Sequence, residues 1–182
     1  MSAFPRQASC VAIGGRGVLI EGPPGSGKSS LALALIDRGA TLVGDDGVLL
    51  EPREGGLWAS PAPTIAGLLE IRNIGLVRLP CEPARIALLL RLDPGAPRHL
   101  EAAERVEVAG VALPFVRLWP DSNVLSLRAE WALATHGLCL WSWDTEGDCY
   151  SGFITHRADE DAVRTISRCL GVEFRAGDED SF

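Results

Sequence analysis

The run Gly22-Pro23-Pro24-Gly25-Ser26-Gly27-Lys28-Ser29 constrains this chain more than any other stretch. It satisfies the pattern G-x-x-x-x-G-K-[ST] at every fixed position. Glycines let a backbone curl until several N–H groups point at one anion, with no Cβ in the way. A helix that starts at such a loop adds the positive end of its dipole. The neighbouring residues suit that geometry. Val18-Leu19-Ile20 is a short apolar strand. Ser29 to Arg38 is rich in Ala and Leu and stops at Gly39, which predicts a helix. Strand, glycine loop and helix in this order make a phosphate-binding P-loop. Lys28 is expected to reach the β- and γ-phosphates, and the Ser29 hydroxyl to ligate Mg²⁺. The motif points to a nucleotide phosphate and leaves the reaction open.

Composition narrows the choice. The 182 residues suffice for one domain with a substantial core, and 47% of them are hydrophobic. A net charge of −7 argues against a broad nucleic-acid footprint. No stretch has the length of a membrane span, and Met1 to Arg6 has no apolar signal region. A cytoplasmic protein with no nucleic-acid or membrane partner is expected. The five cysteines (Cys10, Cys81, Cys139, Cys149 and Cys169) form no C-x-x-C pair, which predicts reduced thiols. His99, His136 and His156 stand outside any spaced ligand cluster.

Two apolar runs, Cys10 to Ile13 and Val18 to Ile20, flank Gly14-Gly15-Arg16-Gly17 and predict a β-hairpin. The strand feeding the loop would then pair antiparallel with its predecessor. Thr41-Leu42-Val43, Val48-Leu49-Leu50 and Leu57-Trp58-Ala59 are further strands, the last returning antiparallel after a turn at Pro52 to Gly56. Arg85 to Leu92 suits a buried central strand. Val106 to Val108 and Val111 to Leu113 flank Ala109-Gly110 as a second hairpin. Ser126 to Ala134 is expected to be helical. So is Asp159 to Leu170, with Asp159 as N-cap and Gly171 as the stop. Trp141 and Trp143 suit a core or a subunit contact, and the tail from Gly177 to Phe182 is expected to be disordered. A single domain over 1–182 is expected.

The pair Asp45-Asp46 ends the strand after the first helix. In α/β sheets, strand ends beside a P-loop face the phosphate site. A carboxylate there can hold Mg²⁺ or accept the proton of an attacking hydroxyl. From Gly22 through the helix to Gly44-Asp45-Asp46, the chain resembles the catalytic domain of HPr kinase/phosphorylase. That family shows a P-loop, a helix ending in Arg-Gly and a strand ending in Ala-Asp-Asp. The glycine-turn hairpin before the loop also fits. So does Leu69-Glu70-Ile71-Arg72-Asn73-Ile74-Gly75-Leu76, which is similar to the family's Glu-x-Arg-Gly-x-Gly signature. The resemblance covers about residues 7 to 120 and leaves 135 to 182 unmatched. It is similar to the short forms that lack the family's N-terminal domain.

The resemblance implies an α/β P-loop domain of the HPr kinase and PEP carboxykinase type, with a mixed sheet, followed by a C-terminal helix. It implies transfer of the γ-phosphoryl of ATP to a serine of an HPr-type phosphocarrier of the phosphotransferase system, and phosphorolysis as a reverse reaction. Gly22, Pro23, Pro24, Gly25, Ser26, Gly27, Lys28 and Ser29 would hold ATP. Ser29 and Glu70 would ligate Mg²⁺, and Arg72 would lie near the phosphates or metal. Asp45 or Asp46 would be the general base, with spacing favouring Asp46. A homo-oligomer is implied as well. The chain departs from the family in having Gln7 where a His is usual, which removes a group that titrates near neutral pH. It has Ser30 where the long forms carry Glu. Only Pro114-Phe115-Val116-Arg117 echoes the family's arginine segment tied to phosphorolysis, with Arg117 as its candidate. Two other functions suit the residues: a catalytically silent nucleotide or phosphate sensor acting on a regulator, and a P-loop kinase of a small metabolite.

Overall fold

The computed structural model describes residues 2–53 and 55–139. The expectations for Trp141, Trp143, His156, the helix at 159–170 and the tail lie outside the described residues. The chain opens with a short strand not anticipated from sequence, β1 (Phe4–Arg6). The predicted hairpin follows as β2 (Ser9–Ile13) and β3 (Arg16–Glu21). Ile13 pairs with Arg16, so its loop is the two residues Gly14 and Gly15. Both have positive φ, 54° and 74°, which is what a type I′ turn demands and why glycine occupies it.

Helix α1 (Lys28–Asp37) leads from the glycine loop. It ends in a Schellman motif: Gly39 N–H donates to the Ile36 carbonyl at 2.9 Å and Ala40 N–H to that of Leu35 at 3.0 Å. Strands β4 (Thr41–Gly44), β5 (Val48–Arg53) and β6 (Gly56–Pro61) come next. A separate two-stranded sheet is formed by β7 (Leu68–Ile71) and β8 (Gly75–Arg78). The long strand β9 (Ala84–Leu92) is followed by the second predicted hairpin, β10 (Glu104–Val108) and β11 (Val111–Leu118), and by helix α2 (Leu125–His136).

The main sheet is mixed, in the order β1-β5-β6-β9-β3-β2-β4, and it curls so that β4 touches β6. The expected α/β class with a mixed sheet is therefore present. Strand β9 is central, as its apolar sequence required. One of its edges lies along β3 in parallel. The other is shared, with β6 antiparallel at its N-terminal end and β11 parallel along its C-terminal half. Gly17 pairs with Ile86 but Val18 with Leu88, so Ala87 bulges out of the ladder. Its carbonyl instead accepts the N–H of Leu138 at 2.9 Å, which ties the chain after α2 to the sheet.

Strand alternation sorts the core into two layers. Ala8, Cys10, Ala12, Leu19, Ile86 and Leu89 line the inner face of the curl. Val11, Val18, Ile20, Leu88 and Leu90 face the helices and meet Leu31 and Leu35 of α1 and Leu133 of α2. On the surface, the Arg38 guanidinium reaches both carboxylate oxygens of Glu130 at 2.7 and 2.8 Å and links α1 to α2. Cys10 and Cys81 are free thiols, as expected. Cys139 is disulfide-bonded and departs from that expectation.

Candidate active site

The parallel strands β3, β9 and β11 all end at one edge of the sheet. β2 runs antiparallel to both β3 and β4, so β4 ends at that edge too. The glycine loop leaves β3 there and Asp45-Asp46 leave β4 there. A Cβ at Gly22 would come within 2.6 Å of Ser26 Oγ and 3.1 Å of the Leu92 carbonyl oxygen, so the loop can close only on glycine. Gly27 takes the left-handed conformation, φ 94°, as it caps α1. An added Cβ at Gly25 or Gly27 would meet no atom within 4 Å, so the loop is open on that side.

The donors of this loop suit a polyphosphate. No side chain caps the N-terminus of α1 and no acidic residue lies in its first turn, which leaves the helix's positive end uncompensated. Lys28 Nζ folds along the loop and donates to the carbonyls of Gly22 and Pro23 at 3.0 and 3.1 Å. Ser26 Oγ is buried with no hydrogen-bond partner. A buried hydroxyl left unpaired is unfavourable, and an anion in the loop would relieve it. Mg²⁺ fits in the manner usual for it. Ser29 lies on the first turn of α1, and β7, which carries Glu70, packs against α1. Among the described residues no group of three or more metal-binding side chains assembles. A cation here would take most of its ligands from phosphate and water, as Mg²⁺ commonly does.

The two aspartates differ. Asp45 is buried and its Oδ1 accepts a hydrogen bond from Ser9 Oγ at 2.5 Å. Asp46 is exposed, with a positive φ of 61° that an aspartate tolerates better than most residues. Glu70 is on the separate β7–β8 sheet, whose strand β7 packs against α1, and Arg72 lies in the turn that joins its two strands. Glu70 faces solvent opposite Leu76. Arg72 is exposed in the turn that follows β7, beside Asn73 at φ 66°. Gln7 is exposed in the link between β1 and β2. Arg117 on β11 is paired with Glu104 at 3.0 Å.

One group went unnoticed in the sequence. Glu21, the residue before Gly22, is only 7% exposed. Its Oε1 accepts from Arg6 Nε at 2.8 Å and Nη2 at 2.5 Å, and its Oε2 from Arg91 Nη2 at 3.1 Å. Arg91 also lies over the Phe115 ring, 5.1 Å from its centroid. One buried carboxylate thus joins β1, β3 and β9 where the loop begins, and the cluster keeps a net positive charge beside a candidate anion site. The only signal in the sequence was an acidic residue at the end of an apolar strand.

Residues 4–80 match the family described as HPr Serine kinase C-terminal domain. Residues 121–177, beyond the resemblance over about 7 to 120, match a Domain of unknown function (DUF6630). The HPr kinase/phosphorylase of Streptococcus thermophilus is 36% identical over 122 residues, covering 59% of this chain and 40% of that protein. The Streptococcus gordonii protein of the same name is 36% identical over 118 residues, covering 57% and 38%. The chain thus spans about two fifths of the length of these relatives. The solved structure of the Hpr(Ser) kinase/phosphatase from Coxiella burnetii aligns with a TM-score of 0.63 at 28% identity, covering 71% of this chain and 93% of that one. Motif order, sequence identity and shared fold agree: over residues 4–80 the chain matches the HPr serine kinase C-terminal domain family, and its fold is that of a solved Hpr(Ser) kinase/phosphatase.

Proposed function

We propose that this protein is an ATP- and Mg²⁺-dependent serine kinase whose acceptor is an HPr-type phosphocarrier protein, acting in the cytoplasm. The observation that carries the reading is the shared sheet edge of an uncapped P-loop helix and a hydrogen-bonded carboxylate, Asp45, inside a domain whose relatives bear kinase names. Among the described residues no helix is long and apolar enough to cross a membrane.

In this reading Gly22 to Ser29 cradle the phosphates and Lys28 turns from the loop carbonyls to the β- and γ-phosphates. Ser29 and Glu70 would hold the metal, which when bound would neutralise charge on the phosphates. Asp45 takes the proton of the acceptor hydroxyl while that oxygen bonds to the γ-phosphorus. The bond to the bridging oxygen breaks and ADP leaves with the electron pair. Spacing favoured Asp46 as the base. The hydrogen bond from Ser9 favours Asp45, because a general base works best when a third group holds its orientation. Arg72, at the hairpin turn, remains the candidate for a phosphate contact from outside the loop. Arg117 is already committed to Glu104, which weighs toward transfer rather than phosphorolysis.

The test is transfer of labelled γ-phosphate to a purified HPr-type carrier. Label on a carrier serine, lost in Lys28→Ala and reduced at least about a hundredfold in Asp45→Asn with nucleotide affinity kept, supports the reading. A larger loss in Asp46→Asn than in Asp45→Asn returns the base to Asp46. Nucleotide binding with no carrier labelled points to a sensor. Turnover driven by a small hydroxyl compound points to a metabolite kinase.

A further inference from the structure

We infer that Arg16 and Arg85 form a phosphate-binding site at the sheet edge opposite the glycine loop, separate from the candidate active site and independent of the kinase reading. Arg16 opens β3, and Arg85 is the second residue of β9. The two are partners in the parallel β3–β9 ladder, so their side chains leave the sheet as neighbours on one face. It is the outer face. Ala84 and Ile86, on either side of Arg85, line the inside of the curl, and Val18, two residues after Arg16, faces the helices. Strand β3 runs five residue steps from Arg16 to Glu21, about 17 Å, which sets the pair well away from the loop at Gly22.

Among the described residues, the other arginines either have a carboxylate within 4.0 Å, as Arg6, Arg38, Arg53, Arg91 and Arg117 do, or are exposed to water, as Arg72 and Arg128 are. Arg16 and Arg85 are half-buried, and neither has a carboxylate within that distance. Arg85 Nε is buried with no hydrogen-bond partner. The Gly55–Gly56 turn lies against it. A Cβ on Gly56 would come within 2.8 Å of Nε and 3.4 Å of Nη2, so glycine leaves the guanidinium its place. Arg16 Nη1 makes one long contact, 3.4 Å to the Leu133 carbonyl, which already accepts the Gly137 N–H at 3.0 Å. Burial pushes the Arg16 guanidinium below its ordinary pKa. Neighbouring cations repel, and a partly desolvated cation with no counter-charge is unfavourable. A bound dianion offsets both effects. The guanidinium forks match phosphate oxygens two at a time. Their two charges select a phosphate group, free or as a monoester, over a single carboxylate.

The experiment is thermal unfolding of the full chain, followed by circular dichroism, against inorganic phosphate up to about 20 mM, with ionic strength held constant by sodium chloride. Lys28→Ala serves as the background, because it weakens phosphate binding at the glycine loop. In that background Tm should rise with phosphate by at least about 2 °C and level off. Arg85→Ala and Arg16→Gln should each remove most of the rise, measured from the variant's own starting Tm. Arg85→Lys keeps the charge without the fork and should retain less than about half of it. Arg128→Ala, which removes an exposed arginine, should retain it in full. Where Arg85→Ala does not fold, Arg16→Gln and Arg85→Lys carry the test. Phenyl phosphate separates the two sources of the group: a rise with it as well assigns monoesters to the site, and a rise with the free ion alone assigns inorganic phosphate. A Tm that phosphate leaves unchanged overturns the inference. So does a rise kept in full by a folded Arg85→Ala or Arg16→Gln variant, or an equal rise with acetate at the same ionic strength.

Discussion

Cutting the Arg6–Glu21–Arg91 cluster from its two ends should give unequal losses of stability. The acid is only 7% exposed as a residue, whereas the side chains of Arg6 and Arg91 are 42% and 48% exposed. Glu21→Ala removes three hydrogen bonds to charged groups. Each such bond is worth about 1.5–3 kcal/mol when both partners are buried. The guanidiniums left behind are half in water and rehydrate, and surface pairs contribute about 0–1 kcal/mol each. Two such pairs with some lost packing give a loss of about 1–2 kcal/mol. Arg6→Ala combined with Arg91→Ala leaves the opposite residue, a buried carboxylate with neither partner. Leaving a buried charge unpaired costs about 3–5 kcal/mol. Urea unfolding at neutral pH, followed by far-UV circular dichroism, measures both. The double arginine variant should fall by at least about 1 kcal/mol more than Glu21→Ala, with similar m-values. If Glu21→Ala is the more damaging change, the charge left behind does not set the loss and the reasoning fails.

Two further outcomes follow from the packing. A Cβ at Gly17 would lie 2.9 Å from the Arg85 carbonyl oxygen and 3.0 Å from Ile86 Cδ1, beside the bulge at Ala87. Backbone cannot yield as a side-chain end can, so Gly17→Ala should lower the urea unfolding free energy by about 1–3 kcal/mol, and an unchanged midpoint would contradict this. Burial pushes the Cys10 thiol well above its ordinary pKa, so at pH 8 it is protonated as well as inaccessible, while Cys81 is partly exposed. Only the thiolate reacts with iodoacetamide, so peptide mass spectrometry should find Cys81 labelled in the native protein and Cys10 labelled only after unfolding. Equal native labelling of the two would refute it.

Much of this architecture was legible because it is written in local signals. The glycine loop, the Gly14-Gly15 and Ala109-Gly110 turns and the apolar run of β9 each carry their conformation in a few consecutive residues. The features that escaped depend on distant partners. Phe4–Arg6 has no strand signature of its own and becomes a strand by pairing with β5. The β7–β8 hairpin had a turn signal in Asn73 and Gly75, but its alternation is weak because only Leu69 is fully buried. Strand β11 was expected to stop at Leu113 and runs to Leu118, since its second half is held by β9. In the candidate site the loop and the aspartate pair could be read directly. Ser9 and Glu21 could not, because a small polar residue and an acid at strand ends are ordinary until Asp45, Arg6 and Arg91 are brought to them from elsewhere in the chain.

The shared edge of β9 has a consequence for how the protein is made. Leu19 pairs with Leu89, and Leu89 in turn with Phe115. As the chain leaves the ribosome, β2 and β3 can zip together early, because only two residues join them. The far edge of β3 then waits, unpaired and apolar, until β9 has been synthesised. Contacts this distant in sequence close slowly, and an open apolar edge invites pairing with another chain. The glycine loop therefore gains its supporting neighbour only once β9 has emerged. Agents that shield nascent strands should matter more for the yield of this protein than changes to the loop itself.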